Sequence, residues 1–152
     1  MGGSIFIAML AAVFLWWFST GAILLIVRLM ENHSLSAKLK VCIFGLPILA
    51  LGLWGIWETS SSLTILGSYL AFVSAIFVWG WIELTFLTGV ITGPNKSQCP
   101  KNIPLFEKFI RAWGTLAYHE VSLLLALGVV ICLAYGQENH FGIWTFTVLY
   151  FA

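Results

Sequence analysis

Three ionisable residues that could do chemistry lie inside long apolar runs of this sequence. Glu83 stands in one run, and His119 and Glu120 stand in the next. A carboxylate at the centre of a membrane helix costs roughly 3 kcal/mol on insertion scales, so such groups usually have a partner or a function. A carboxylate close to an imidazole could hold a metal ion or relay a proton, and His119 could be an axial ligand to a chlorophyll-type pigment. The same groups could also form a hydrogen-bonded clasp between helices, worth roughly 1 kcal/mol and with no chemistry.

The spacing of these residues puts them at one depth. Glu83 lies nine residues before Thr92, and Glu120 lies nine residues after Arg111. At about 1.5 Å per residue, both are roughly 14 Å inward from the same side of the membrane. Consecutive antiparallel helices are usually neighbours, so we expect Glu83 to meet His119 and Glu120. Adjacent helix positions diverge by about 100°, so His119 and Glu120 do not form the Glu-x-x-His pair of di-iron bundles.

Five apolar runs carry these residues, at 5–27, 41–57, 63–91, 115–135 and 141–152. The chain has 61% hydrophobic and 9% charged residues and a mean hydropathy of +1.00, which excludes a water-soluble globule. The first four runs are long enough to cross a hydrocarbon layer of about 30 Å, and Pro47 predicts a bend in the second. The sequence predicts one all-α integral membrane domain over 1–152, a polytopic helix bundle of about five transmembrane helices. The fifth run covers only about 18 Å, so we expect the chain to continue past Ala152.

The basic residues predict the topology of this bundle. Every lysine and arginine falls in one of two loops, which hold Arg28, Lys38, Lys40, Lys96, Lys101, Lys108 and Arg111. The positive-inside rule therefore puts loops 28–40 and 93–114 in the cytoplasm and the N-terminus outside. The net charge of +1 gives no sign of nucleic acid as a partner.

The second basic loop also has an amphipathic pattern. One helical face is apolar and consists of Leu105, Phe106, Phe109, Ile110 and Trp113. Glu107 and Arg111 lie on another face at the i, i+4 spacing of an ion pair. The pattern is typical of an interfacial helix, but it also fits the cytoplasmic end of the fourth span.

Small residues form two stripes at every fourth position, a spacing that allows close contact between membrane helices. The stripes are Ser4, Ala8 and Ala12 in the first run and Gly67, Ala71 and Ala75 in the third. They predict packing inside the bundle or against a partner's helix.

The cysteines Cys42, Cys99 and Cys132 have no metal-ligand spacing. Cys42 and Cys132 lie in apolar runs, which predicts small buried side chains.

Several motifs taken together resemble the photosynthetic-complex assembly protein family PuhE of phototrophic purple bacteria. They are WGWIELTFLTG at 79–89, TGP at 92–94, CP at 99–100, YHE at 118–120, WWFSTG at 16–21, YLAF at 69–72 and GIWTF at 142–146. The likeness covers most of the chain, but members of that family continue beyond the last run. Taken together, these motifs are specific for the family, whereas no single one of them is.

This resemblance implies a non-enzymatic protein of the bacterial inner (intracytoplasmic) membrane. Such a protein would assemble or stabilise the reaction-centre and light-harvesting complex, or modulate the bacteriochlorophyll supply to it. The expected partners are membrane lipid and subunits of that complex, with bacteriochlorophyll or carotenoid as molecules that could be contacted and no cofactor assigned. Two alternatives remain open: a stable accessory subunit that binds pigment through His119, and a membrane metalloenzyme that uses Glu83, His119 and Glu120.

Overall fold

The computed structural model describes residues 2–93, 100 and 103–152, with side chains from residue 5 onward. Within these ranges all regular structure is helical, and no strand occurs. The six helices are α1 (Gly2–Met30), α2 (Leu35–Phe44), α3 (Leu46–Thr59), α4 (Ile65–Leu87), α5 (Leu105–Leu133) and α6 (Phe141–Phe151).

Four helical segments are long and apolar enough to cross a membrane, which makes the fold compatible with a multi-pass membrane protein. They are α1, the α2–α3 pair, α4 and α5. The last helix, α6, is apolar but only 11 residues long. The expected all-helical fold is confirmed, whereas the expected number of about five transmembrane helices stays a prediction.

The second apolar run is interrupted next to the predicted position. The sequence predicts a bend at Pro47, and the helix is broken at Gly45, two residues earlier, which ends α2 and precedes α3. Pro47 has no N–H to donate to the Ile43 carbonyl oxygen one turn before it, so the helical hydrogen-bond ladder is interrupted in the turn that precedes the proline. The predicted loop 28–40 is also too long, because α1 continues to Met30 and α2 already begins at Leu35. Lysines are good helix formers, so a basic segment need not be a loop.

The segment before the fourth run is not a separate interfacial helix. Helix α5 runs without a break from Leu105 to Leu133, because Gly114 is tolerated in its interior and no proline intervenes. Its 29 residues span about 43 Å, more than the roughly 30 Å of hydrocarbon. The predicted ion pair is present: Arg111 donates two hydrogen bonds to Glu107 Oε1, at 2.9 and 3.2 Å.

The core of the molecule is a block of α3, α4 and α6, in which α4 makes the most extensive contacts. Two glycines of α3 let that helix approach α4 closely. A Cβ on Gly52 would lie only 2.8 Å from the Ser74 carbonyl oxygen, and one on Gly55 would collide with the Ser74 side chain. Larger residues at these positions would force the two helices apart.

The two small-residue stripes have different surroundings. Gly67, Ala71 and Ala75 are buried in α4, so this stripe packs inside the bundle. On α1, Ala8 and Ala12 are half-buried and line an apolar groove of about 670 Å³. The side chain of Ser4 lies outside the described residues.

The two cysteines in apolar runs also differ. Cys42 is buried, as predicted, and its sulfur lies 3.5 Å from Thr88 Oγ1. The prediction for Cys132 is wrong, because this residue lies on the exposed surface of α5. An apolar run indicates that a helix avoids water but does not say which of its faces meets the neighbouring helices. Cys99 lies outside the described residues.

One buried asparagine ties together the loops at the end of the block. The Asn139 side-chain amide donates to the carbonyl oxygens of Thr59 and Ser62, both at 3.0 Å. Its own carbonyl oxygen accepts a hydrogen bond from the Phe141 N–H at 3.0 Å, and its backbone N–H donates to the Ser60 carbonyl oxygen. This network, the Asn139 clasp, joins the α3–α4 loop to the start of α6.

Candidate functional site

Glu83 and His119 meet between α4 and α5. His119 Nε2 lies 3.0 Å from Glu83 Oε1, and the side chains are 11% and 17% exposed. Either an Nε2–H donates to the carboxylate, or a protonated Glu83 donates to a bare Nε2. In both cases one proton lies between Nε2 and the carboxylate oxygen, so the two side chains stay hydrogen-bonded. Such pairing matters inside a membrane, where an unpaired charge is costly.

Phe86 holds the imidazole from the side of α4. It lies one turn after Glu83, so both side chains project from the same face of the helix. The Phe86 and His119 ring centroids are 4.2 Å apart, with a 36° angle between the planes. The imidazole is therefore fixed by one hydrogen bond and one aromatic contact, both provided by α4.

Glu120 does not join this hydrogen bond. It follows His119 on α5 and lines the adjoining cavity together with Tyr150 of α6. Among the described residues, no three His, Cys, Asp or Glu side chains lie close enough to hold a metal ion. Of the three predicted site residues, the structure brings two into contact and places the third beside a cavity.

This cavity has a volume of about 430 Å³ and lies between α1, α4, α5 and α6. Aromatic and aliphatic side chains form most of its wall, and Glu83, His119 and Glu120 form a polar part. The lining residues are Trp16, Thr20, Ile23, Leu24, Trp79, Glu83, Phe86, Leu87, Leu116, His119, Glu120, Leu123, Leu149, Tyr150 and Ala152. The combination of a mostly apolar wall and a few polar groups is typical of small-molecule sites.

One of the cavity-lining residues has a buried polar atom with no partner among the described groups. The Trp79 side chain is almost completely buried, and its Nε1–H makes no hydrogen bond to any described group. A buried donor without an acceptor costs about 1–3 kcal/mol, and such groups are rare in folded proteins. Trp79 therefore carries an unused hydrogen-bond donor, which is itself buried and has almost no accessible surface.

The hydrogen bond between His119 and Glu83 affects whether His119 could be a metal ligand. Its Nε2 is engaged by Glu83, so a pigment magnesium at that nitrogen would first have to displace the carboxylate. Transfer of a single proton between the two side chains needs no rearrangement. Pigment ligation by His119 stays a prediction.

The sequence analysis does not single out Trp79, which lines the cavity. Its position four residues before Glu83 was the available signal, because residues at i and i+4 share a helix face. Tyr150 gave no comparable signal, since α6 reaches the cavity only through its packing on α4 and α5.

The chain is an all-helical protein over its described residues, compatible with a multi-pass membrane protein, and has a small polar cluster inside an apolar bundle. The chain belongs to the family DUF3623, described as a protein of unknown function, which matches residues 3–152. It is also similar to a Rhodobacter capsulatus protein described as an uncharacterized 30.4 kDa protein in the puhA 5' region.

This relative is 43% identical over 143 residues, which cover 94% of the present chain and 52% of the relative. The chain thus spans about half the length of the curated relative it matches. No solved structure matches. The resemblance to a puh-region protein is confirmed at this level, and the narrower PuhE assignment stays a prediction.

Proposed function

We propose that this protein is a non-enzymatic membrane factor of the photosynthetic apparatus. It assembles or stabilises the reaction-centre and light-harvesting complex, or modulates the bacteriochlorophyll supply to it. The observation that carries this proposal is the 43% identical relative, whose gene region, puhA, links it to photosynthesis. The resemblance of the chain to the PuhE family supports the same function.

The exposed apolar surface of the molecule supports an interaction within the membrane. None of the most apolar 18-residue window of α1 is buried, and this helix packs mainly on α4. The start of α5 exposes Leu105, Phe106 and Phe109. Lipid and the transmembrane helices of reaction-centre or light-harvesting subunits are the partners that suit such surfaces.

The proposal places the protein in the bacterial inner (intracytoplasmic) membrane, with the N-terminus in the periplasm. The basic segments 28–40 and 93–114 are then cytoplasmic, as the positive-inside rule requires. In this topology Glu83 and His119 lie within the membrane, and the Asn139 clasp lies on the periplasmic side.

Deletion of the gene in a phototrophic host tests the proposal. We expect membrane absorption spectra of the deletion strain to show less assembled complex or an altered bacteriochlorophyll content, restored by a plasmid copy. A plasmid copy carrying His140→Ala is the matched control, because this exposed residue lies outside the cavity. Unchanged spectra after deletion would contradict the proposal.

A stable pigment-binding subunit is the second candidate, favoured by the aromatic cavity beside His119. Purification of the mature complex distinguishes a stable subunit from an assembly factor. A subunit stays with the complex at a constant stoichiometry, whereas an assembly factor is lost.

A metalloenzyme is the third candidate, in which Glu83 and His119 would supply two metal ligands. Metal analysis of the purified full-length protein tests it.

A further inference from the structure

The cavity between α1, α4, α5 and α6 combines an aromatic wall with a polar part. Glu83, His119 and Glu120 form the polar part, and Trp16 and Tyr150 are among the aromatic side chains of the wall. The volume of about 430 Å³ lies within the roughly 300–1,000 Å³ usual for small-molecule sites. The charges of the polar part therefore restrict which class of molecule fits.

The two carboxyl groups of the cavity differ in their partners. Glu83 is hydrogen-bonded to His119 through Oε1. Glu120 lies against the Tyr150 hydroxyl, which is a neutral group, and the described residues that line the cavity include no lysine or arginine. An ionised carboxylate inside a membrane protein requires a cationic partner, because an unpaired charge is costly there. Glu120 is therefore the carboxyl group whose countercharge the wall does not supply.

The carboxyl groups of the cavity keep accessible surface. Glu83 Oε2 makes no hydrogen bond in the described structure, but it is not sealed off as the Nε1 atom of Trp79 is. The Glu83 side chain is 17% exposed, and Glu120 is half-buried. Leu24 of α1 and Leu116 of α5 line the same cavity and are more than half exposed. The lining thus includes residues of the outer surface as well as the two carboxyl groups.

The wall favours an organic cation over an anion or a metal ion. An anion would lie against two carboxyl groups, which is unfavourable in a low-dielectric site. Among the described residues, no three His, Cys, Asp or Glu side chains lie close enough to hold a metal ion. Trp16, Phe86 and Tyr150 bring aromatic rings to the cavity from three helices, and aromatic faces attract ammonium groups through cation–π interactions.

We propose that this cavity binds a small organic cation, an amine or a quaternary ammonium compound with an apolar body, whose charged nitrogen pairs with the Glu120 carboxylate. The apolar body packs against the aromatic and aliphatic side chains of the wall. Glu83 stays hydrogen-bonded to His119 and fixes that side of the site. The proposal concerns binding alone, and it does not rest on the proposed function, because it is tested on the purified protein.

The test is equilibrium binding of radiolabelled benzyltrimethylammonium to the full-length protein in phosphatidylcholine nanodiscs, with empty nanodiscs as background. We expect saturable binding of one cation per protein. Benzenesulfonate, an anion of similar size, should not displace it, because it would meet the two carboxyl groups. Binding that does not saturate, or displacement by benzenesulfonate at the same concentration as by the unlabelled cation, would overturn the proposal.

Substitution of the pairing carboxylate gives the main comparison. Glu120→Gln keeps the shape of the side chain but removes its charge, and we expect it to weaken binding of the cation at least about tenfold. Glu58→Gln is the matched control, because Glu58 is exposed on α3 and lies outside the cavity. It changes the net charge equally and should bind the cation like the wild type. Equal affinities of Glu120→Gln and the wild type would overturn the proposal.

A neutral ligand of the same shape separates the charge of Glu120 from the shape of the cavity. Neopentylbenzene has a carbon atom in place of the charged nitrogen, so its binding should be the same in the wild type and in Glu120→Gln. Circular dichroism should show the same helix content for both proteins. Parallel losses of the cation and of neopentylbenzene would mean that the substitution damages the cavity and would overturn the pairing with Glu120.

Neighbouring tryptophans of α1 test the place of the ligand independently of Glu120. Trp16 lines the cavity, whereas Trp17 is 67% exposed and lies outside it. Trp16→Leu should weaken binding of the cation about threefold or more through the loss of an aromatic face, and Trp17→Leu should leave it unchanged. Equal binding by the two variants would contradict a ligand in this cavity, including in the case that Glu120→Gln does not fold.

Discussion

The block of α3, α4 and α6 and the side of the molecule formed by α1 and α5 are built differently. In the block, glycines allow close helix contact, Ala75 is completely buried, and Asn139 has hydrogen-bond partners for both of its side-chain groups. On the other side, α1 is largely exposed and, like α5, borders the cavity that Glu83, His119 and Glu120 line.

This difference distinguishes two uses of polar groups in an apolar bundle. A polar residue whose groups are all satisfied stabilises the fold, and Asn139 is of this kind. A polar cluster on the wall of a mostly apolar cavity is better suited to binding. Glu83 and His119 have features of both, since they bond to each other and also line the cavity.

Overpacking of the α3–α4–α6 block should have the largest effect on the free energy of unfolding. Ala75→Leu adds three carbon atoms where the wild-type side chain is 0% exposed, so we expect it to lower the free energy of unfolding by about 3 kcal/mol. Ala12→Leu is the matched substitution in the half-buried stripe of α1 and should change it by less than about 0.5 kcal/mol. Denaturant titration of the protein in detergent measures both, and equal losses would mean that the two sides are packed alike.

Removal of the Asn139 clasp should have the next largest effect. Asn139→Leu keeps the volume but leaves the Thr59 and Ser62 carbonyl oxygens and the Phe141 N–H without their partner, so we expect a loss of about 2 kcal/mol. The neighbouring exposed residue is the control, because His140→Ala removes no side-chain hydrogen bond of the described structure. Thermal unfolding in detergent compares the two variants, and similar melting temperatures would show that the clasp contributes little.

The Glu83–His119 pair should make the smallest of these three contributions to the free energy of unfolding. A double-mutant cycle of Glu83→Leu and His119→Leu should give a coupling energy of about 1 kcal/mol, the usual size for interhelical hydrogen bonds in membranes. The control cycle pairs His119→Leu with Glu120→Leu, for which we expect coupling near zero, because the two side chains diverge on α5. Equal coupling in both cycles would mean that Glu120 takes part in the contact.

The helical fold and the contact between Glu83 and His119 were predictable from the sequence, whereas Glu120, which was expected to meet Glu83 as well, stays outside that hydrogen bond. Apolar runs longer than about 18 residues have few alternatives to helices, because a membrane leaves no backbone group unpaired. The depth of Glu83 and His119 followed from counting residues along consecutive helices, since the helical rise per residue is constant.

The sequence did not predict which helix faces and loops come together, because these contacts depend on the packing of distant parts of the chain. The amphipathic pattern after Pro104 fits an interfacial helix as well as an extension of α5, and the side-chain periodicity is the same for both. Asn139 and the Thr59 and Ser62 carbonyl oxygens that it joins lie about 80 residues apart in the chain, and no local pattern predicts such a contact. The cavity beside Glu83 and His119 likewise depends on the packing of four helices, α1, α4, α5 and α6.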